Sequence, residues 1–344
     1  MENIHRFDTL FILLHSSRQQ LRGVAIACLL VSGCGGDGTS VAPADNQQVA
    51  ADSDERCATV QLSSRNLEMA ANAGVKAAIS MHDITQQTTL ATVSLAGAGS
   101  IRGGSCAGNS DGRGFLTLAR TGLSSYRLTL NNCQVSPHAR PLTGLIEYSL
   151  TEITPAASTG SKKWRLEAAY TDLRMRNLDP PGVDMTIISG VTSSDIISDL
   201  NNTPREQLMN ILKPLKLTFS DETGLQVSAM DSSTPVISSK IKDNAEYDNL
   251  YSNLVHQVID ENNKEAEGAR ITVSGAISGT LEAQLKMAPP RAGSTLNLTQ
   301  KANSGDSLAF DLVSRNDSQL YIGNVRCNDA SVDDLVSVSP LTWP

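Results

Sequence analysis

The sequence predicts a mainly β protein: long antiparallel strands in a curved sheet or sandwich, with two or three short helices packed on one face. Three observations carry this. Residues 271–287 alternate over their whole length, with Ile271, Val273, Gly275, Ile277, Gly279, Leu281, Ala283, Leu285 and Met287 on one parity and mostly polar residues on the other. That is the mark of a half-buried antiparallel strand. Two further stretches alternate the same way: 142–150 (Leu142, Gly144, Ile146, Tyr148, Leu150) and 164–170 (Trp164, Leu166, Ala168, Tyr170). Turn chemistry punctuates the chain at Asp179-Pro180-Pro181-Gly182, Asp231-Ser232-Ser233-Thr234-Pro235 and Ala288-Pro289-Pro290-Arg291-Ala292-Gly293.

Taken in order, the strand-like segments are 115–120, 126–132, 142–150, 164–170, 215–220, 225–230, 271–287, 294–300, 307–313 and 319–327. Within 271–287 the strand is expected to bend or coil at Gly275 and Gly279. Three helices are expected. Residues 65–80 are Ala-rich and weakened by Gly74. Thr203-Pro204-Arg205-Glu206 reads as a capping box with Pro at the first helical position, followed by Leu208, Ile211 and Leu212 and stopped at Pro214. Residues 244–260 set Tyr247, Leu250, Tyr251, Leu254 and Val258 on one helical face. The two alternating regions on either side of residue 200 are compatible with two lobes, about 57–200 and 201–344. A membrane-spanning β-barrel alternates as well, but aromatics are only 4 %, too few for girdles at both interfaces.

The chain of 344 residues carries a net charge of −8. No basic cluster is present, which argues against a nucleic-acid partner. Arg18 and Arg22 precede the apolar run Val24–Leu30. The run is too short to span a bilayer and has the length and flanks of a signal-peptide core. It leads into Val31-Ser32-Gly33-Cys34, which resembles the bacterial lipobox. Residues 1–33 hold three of the 28 basic and two of the 36 acidic groups, so their removal leaves −9.

The resemblance to bacterial lipoproteins implies cleavage before Cys34 and a diacylglycerol on its thiol. Gly35 stands where some family members carry an inner-membrane retention Asp, so the resemblance implies the outer membrane of the cell envelope. Buried acyl methylenes contribute ~0.8 kcal/mol each, and more than one chain makes anchoring stable. Residues 34–56 hold almost no bulky apolar group and read as a flexible tether, roughly 25 Å end to end. The folded part is then 57–344.

Once Cys28 leaves with the signal and Cys34 carries lipid, Cys57, Cys106, Cys133 and Cys327 remain. An even number in an oxidising compartment points to disulfides. Of the three pairings, Cys106–Cys133 with Cys57–Cys327 is favoured, since turn-rich sequence and strand-like runs separate the first two. No CxxC or Cys/His spacing supports a metal site, and no cofactor motif is present.

No catalytic residue is assigned. His138 sits in a turn-like Ser-Pro-His-Ala-Arg-Pro, and His256 faces away from the apolar stripe of its helix; both read as solvated. His82 adjoins Asp83, and sequence neighbours rarely act as a dyad. Gly103-Gly104-Ser105-Cys106-Ala107 lacks the closing Gly of a nucleophile elbow. Ser239-Lys240-Ile241-Lys242 matches S-x-x-K but follows a strand-like run. Three functions remain, in order: a non-enzymatic envelope lipoprotein acting as an interaction or structural module, a carrier of lipid or another hydrophobic ligand, and a hydrolase of envelope polymers. A cavity lined by Ile277, Leu281 and Leu285 would favour the carrier. A filled core with exposed apolar side chains would favour the interaction module.

Overall fold

A computed structural model describes residues 64–95, 103–107, 113–154, 160–176, 184–200, 202–221, 224–232, 236–259, 265–301, 306–315, 319–332 and 339–344. The signal, Cys34, the tether and Cys57 lie outside them. The protein is mainly β, as expected, and residues 50–344 form one compact unit.

One helix, α1 (Ser64–Val93), precedes the strands. These are β1 (Gly104–Ala107), β2 (Arg113–Arg120), β3 (Ser125–Cys133), β4 (Leu142–Thr154), β5 (Ser161–Met175), β6 (Asp184–Asp199), β7 (Pro204–Asp221), β8 (Gly224–Asp231), β9 (Ile237–Lys242), β10 (Glu246–Ile259), β11 (Glu265–Leu281), β12 (Met287–Pro290), β13 (Thr295–Lys301), β14 (Ser307–Ser314), β15 (Gln319–Cys327), β16 (Ala330–Ser331) and β17 (Leu341–Thr342). Every pairing is antiparallel. Strands β1 to β7 run as a meander. Then β8 and β9 lie end to end between β7 and β10. The order continues β10–β11–β13–β14–β15, with β12 beside β11 and the short β16 and β17 on β15. Because β6 pairs with β7 along most of its length, no lobe boundary falls near residue 200.

The sheet curls around α1. The helix touches β4, β7, β9, β10, β11 and β13, strands far apart in the meander, which only a strongly curved sheet brings to one axis. Inward residues of each strand join α1 in one core: Leu166 and Leu173 of β5, Met209 and Leu217 of β7, Tyr247 and Tyr251 of β10, Leu298 of β13 and Phe310 of β14 are all buried. The outer face carries charged pairs across neighbouring strands, Arg127–Glu147, Arg165–Asp195 and Lys240–Glu206. An apolar inside and a charged outside is the reverse of a membrane-spanning barrel. No helix among the described residues is long and apolar enough to cross a membrane.

Curvature needs bends, and glycines supply them. Gly275 of β11 sits at φ +121, where a Cβ would stand 2.4 Å from the Thr295 carbonyl oxygen, while Gly279, the other expected position, has ordinary φ and packs against the Tyr247 ring. Gly74 of α1 serves packing instead. A Cβ there would meet Leu298 Cδ2 at 1.9 Å, so the missing side chain lets the helix approach β13.

Two expected helices are strands. Residues 203–212 begin β7: Asn202 is left-handed (φ 62), Thr203 N–H donates to the Asp199 carboxylate, and the turn is a hairpin from β6. Pro204 opens the strand, a position where its missing N–H is tolerated. Residues 246–259 form β10. A bulge at Asn253 (φ 49) breaks the register between Tyr251 and Leu254. The extra residue shifts the inward set from Tyr247 and Tyr251 to Leu254 and His256, a spacing that imitates a helical stripe. So there is a single helix among the described residues, enclosed by the sheet, in place of short helices packed on one face.

Of the cysteines, Cys106 and Cys133 are joined, with Cα atoms 5.5 Å apart, tying β1 to the end of β3. Cys327 is disulfide-bonded too; its partner lies outside the described residues.

Candidate functional site

The first half of α1 alternates buried and exposed positions, but every residue from Ser80 to Val93 is buried. Many of these are polar: His82, Asp83, Thr85, Gln86, Gln87, Thr88, Thr89 and Thr92. A helix buried all round is ordinarily apolar, and buried polar groups need partners. Here the threonines turn back on their own helix. The hydroxyls of Thr85, Thr88 and Thr92 donate to the carbonyls of Met81, Ile84 and Thr88 at 2.7, 2.6 and 2.9 Å.

The longer side chains reach the sheet. Thr89 donates to Gln207 Oε1 (2.7 Å), Gln207 Nε2 to Gln86 Oε1 (2.8 Å), and Gln86 Nε2 to Ser239 Oγ (3.0 Å). That chain runs from α1 to β7, back to α1, and on to β9. One turn earlier, Asp83 holds Arg140 through both carboxylate oxygens, at 3.1 Å from Nη1 and 3.2 Å from Nη2. Both side chains are 7 % exposed. The Arg140 backbone N–H donates to Gln87 Oε1, and Gln87 Nε2 donates to the Gln284 carbonyl.

His82 completes the network. Its Nε2–H donates to the Leu285 carbonyl at 3.1 Å, and its Nδ1 accepts from Asn249 Nδ2 at 3.0 Å. Both contacts suit the neutral ring. Burial pulls its pKa down; the Asp83 carboxylate and the Leu285 carbonyl oppose that, and Arg140 adds to it. Tyr251 donates to the Ala78 carbonyl at 2.8 Å. The segment Ala283–Leu285, a short 3-10 turn between β11 and β12, closes this end. Gln284 and Leu285 are left-handed there (φ 59 and 57).

His256, expected on a solvated helix face, is fully buried on β10, and neither ring nitrogen has a hydrogen-bond partner. Burial, then the Lys76 cation on α1, push its pKa down to about 4. Since the folded value lies below the unfolded value near 6.5, the fold is most stable above that pH. It loses stability as pH falls from about 6.5 to about 4, by about 3 kcal/mol in all. His256→Leu is therefore expected to raise the unfolding free energy at neutral pH by about 1–3 kcal/mol, by removing unpaired buried polar atoms. It should also flatten that acid limb. Denaturant titrations at several pH values check both; a limb of unchanged depth contradicts the assignment.

The weaker sequence candidates do not converge. His138 is exposed in its turn. Ser239 faces inward, holding Gln86, while Lys242 is exposed, so the S-x-x-K residues lie on opposite faces of the sheet. Ser105 and Cys106 lie on β1, and Cys106 is oxidised. Among the described residues no three His, Cys, Asp or Glu side chains are placed to hold a metal ion. Ile277 and Leu285 pack into the cores around α1 rather than lining a cavity.

Open grooves mark the described surface. One, about 620 Å3, is lined by Arg205, Lys240, Lys242, Glu246, Asp248 and Arg291 among others. Its cations are largely compensated: Arg205 by Asp199 and Asp243, Lys240 by Glu206, Arg291 by Glu246. Another, about 470 Å3, includes Ile153, Ile197 and Leu208. Near it the outer face is apolar. Leu208, Ser238, Leu250 and Ala276 face one another across β7, β9, β10 and β11. Leu208 is 39 % and Leu250 52 % exposed. Comparison with protein-family models, known proteins and solved structures returns no match.

Proposed function

We propose that this chain is a lipid-anchored envelope lipoprotein whose folded domain is a non-enzymatic interaction module. The reading of the first residues rests on the lipobox at Val31–Cys34, with lipid on Cys34 and the outer membrane as its address. The observation that carries the module reading is the helix inside the sheet. Among the described residues α1 fills the interior a carrier would use for its ligand, which favours the outer face as the surface for contact. That face carries Leu208, Leu212 and Leu250, all exposed, with polar Ser238 between Leu208 and Leu250, and exposed apolar side chains rimmed by polar ones suit a contact site. A protein partner in the envelope fits both the apolar row and the charged pairs around it.

The test joins address and surface. A photo-crosslinking residue at position 250 is expected to give one discrete adduct in intact cells, lost when Leu208→Asp is added. Cys34→Ser is expected to abolish palmitate incorporation. Palmitate still entering Cys34→Ser contradicts the anchor. An adduct indifferent to Leu208→Asp, or none, contradicts the docking face. Native lipid co-purifying with the protein would instead favour the carrier.

A further inference from the structure

We propose that the C-terminal half of α1 is the part of the fold that acid loosens first: protonation of His82 and His256, two buried imidazoles at the helix–sheet interface, puts a charge where each ring is held neutral and loosens residues 80–93 while the strand ladders stay paired.

The geometry at His256 comes first. The ring lies inside the sheet with no hydrogen-bond partner on either nitrogen, within electrostatic reach of Lys76 of α1, which itself sits over the Phe219 ring of β7 at 4.0 Å. Its cross-strand neighbours are Met230 on β8 and Ile271 on β11, with Ser228 on the diagonal. Glutamine 300 of β13 pairs with Ile271 from the far side. The outward-pairing Asp231 and Arg270 lie opposite Val255 and Gln257, not opposite the ring. Thus the charge set against a protonated ring is Lys76.

At His82 the neighbours are Asp83 on α1, Arg140 from the segment before β4, Tyr247, Asn249 and Tyr251 on β10, and the Leu285 carbonyl, with Lys286 next in the chain. Asp83 already spends both oxygens on Arg140. A charge on the imidazole is drawn to Asp83 and repelled by Arg140, but burial of the ring outweighs both. It also meets a donor, because Nδ1 faces the Asn249 amide nitrogen. Only a turn of that amide would bring the buried Asn249 Oδ1, which has no partner, to the new N–H, and the turn breaks the bond from Nδ2 to Tyr251.

The interface is also suited to separation. Residues 82–92 are polar apart from Ile84, Leu90 and Ala91, and water can satisfy their hydrogen-bonding groups again, so each such bond contributes modestly to holding this half of the helix. Buried apolar area, by contrast, is recovered only by burial. Gln87 and His82 pin the carbonyls of the left-handed Gln284 and Leu285. Withdrawal of α1 relieves a backbone conformation that non-glycine residues rarely adopt.

The experiment is hydrogen exchange on the full processed chain at about pH 7.5 and about pH 4, corrected for intrinsic rates. Amide protection over residues 80–93 is expected to fall about tenfold or more at the acid pH, while the β5–β6 ladder changes less than about twofold. Combining His82→Asn with His256→Leu should abolish the fall. Lys76→Gln, at a half-exposed position, should move the transition to lower pH without disturbing the fold. It keeps the idea testable if the double variant does not fold. The proposal is overturned if α1 and the β5–β6 ladder lose protection together, if α1 keeps its protection in acid, or if Lys76→Gln leaves the transition where it was.

Discussion

Arg140→Ala is expected to cost about 3–5 kcal/mol of unfolding free energy, because it leaves the Asp83 carboxylate buried without its partner. Both side chains are 7 % exposed and joined by two bonds near 3.1 Å. The attraction between them is largely spent on removing both charges from water, so the pair as a whole adds little. A double variant, Asp83→Leu with Arg140→Met, should therefore recover most of what the single change loses. Residues in one network are not additive, and this cycle measures how far they depart from additivity. Urea titration of the wild type, Asp83→Leu, Arg140→Met and their double variant closes the cycle, with Arg140→Ala measured beside them. A loss below about 1 kcal/mol for Arg140→Ala would mean that water reaches Asp83, against the burial described above.

Gly275→Ala should be as damaging for a different reason. The φ of +121 disfavours any L side chain, and the added methyl would meet the Thr295 carbonyl oxygen at 2.4 Å and Leu296 Cα at 3.0 Å. These are backbone atoms of the next strand, so no side-chain rotation relieves the contact. Strain of about 1–3 kcal/mol adds to an overpacking cost of about 1–3 kcal/mol. For a domain of this size, a Tm lower by on the order of 10 °C is expected. Ala276→Ser, one residue along on the exposed face, is the control and should change little. Equal Tm values for the two variants would show that β11 can bend elsewhere.

Much of the sheet was legible beforehand. Segments 115–120, 126–132, 142–150, 164–170, 294–300, 307–313 and 319–327 fall on β2, β3, β4, β5, β13, β14 and β15, because most of them bury one parity of apolar residues, β15 changing parity between Leu320 and Val325. The β6 strand was missed for the same reason in reverse. Its inward Thr192, Ser194 and Ser198 are polar, so no apolar alternation announces it. In β10 the bulge at Asn253 broke period two and left a false helical stripe. In β7 a Thr-Pro-Arg-Glu run with good capping chemistry lay at a hairpin, where Asp199 accepts from Thr203 N–H.

The site was hidden more thoroughly. Residues 82–92 read as a polar stretch with no apolar stripe, so the expected helix stopped near residue 80. Its partners are remote: Gln207 lies 118 residues beyond Thr89, and Leu285 lies 203 beyond His82. The placement of His256 turned on the parity shift of one bulge.

What the sequence determined alone is what short-range chemistry decides: alternation that makes strands, and the pairing of Cys106 with Cys133 across the strand-like runs between them. Whether a polar residue faces water or the interior was decided only when the sheet curled round α1. Burial of a glutamine or a histidine is tolerated where a distant chain segment supplies its hydrogen bond, and no local pattern encodes that segment.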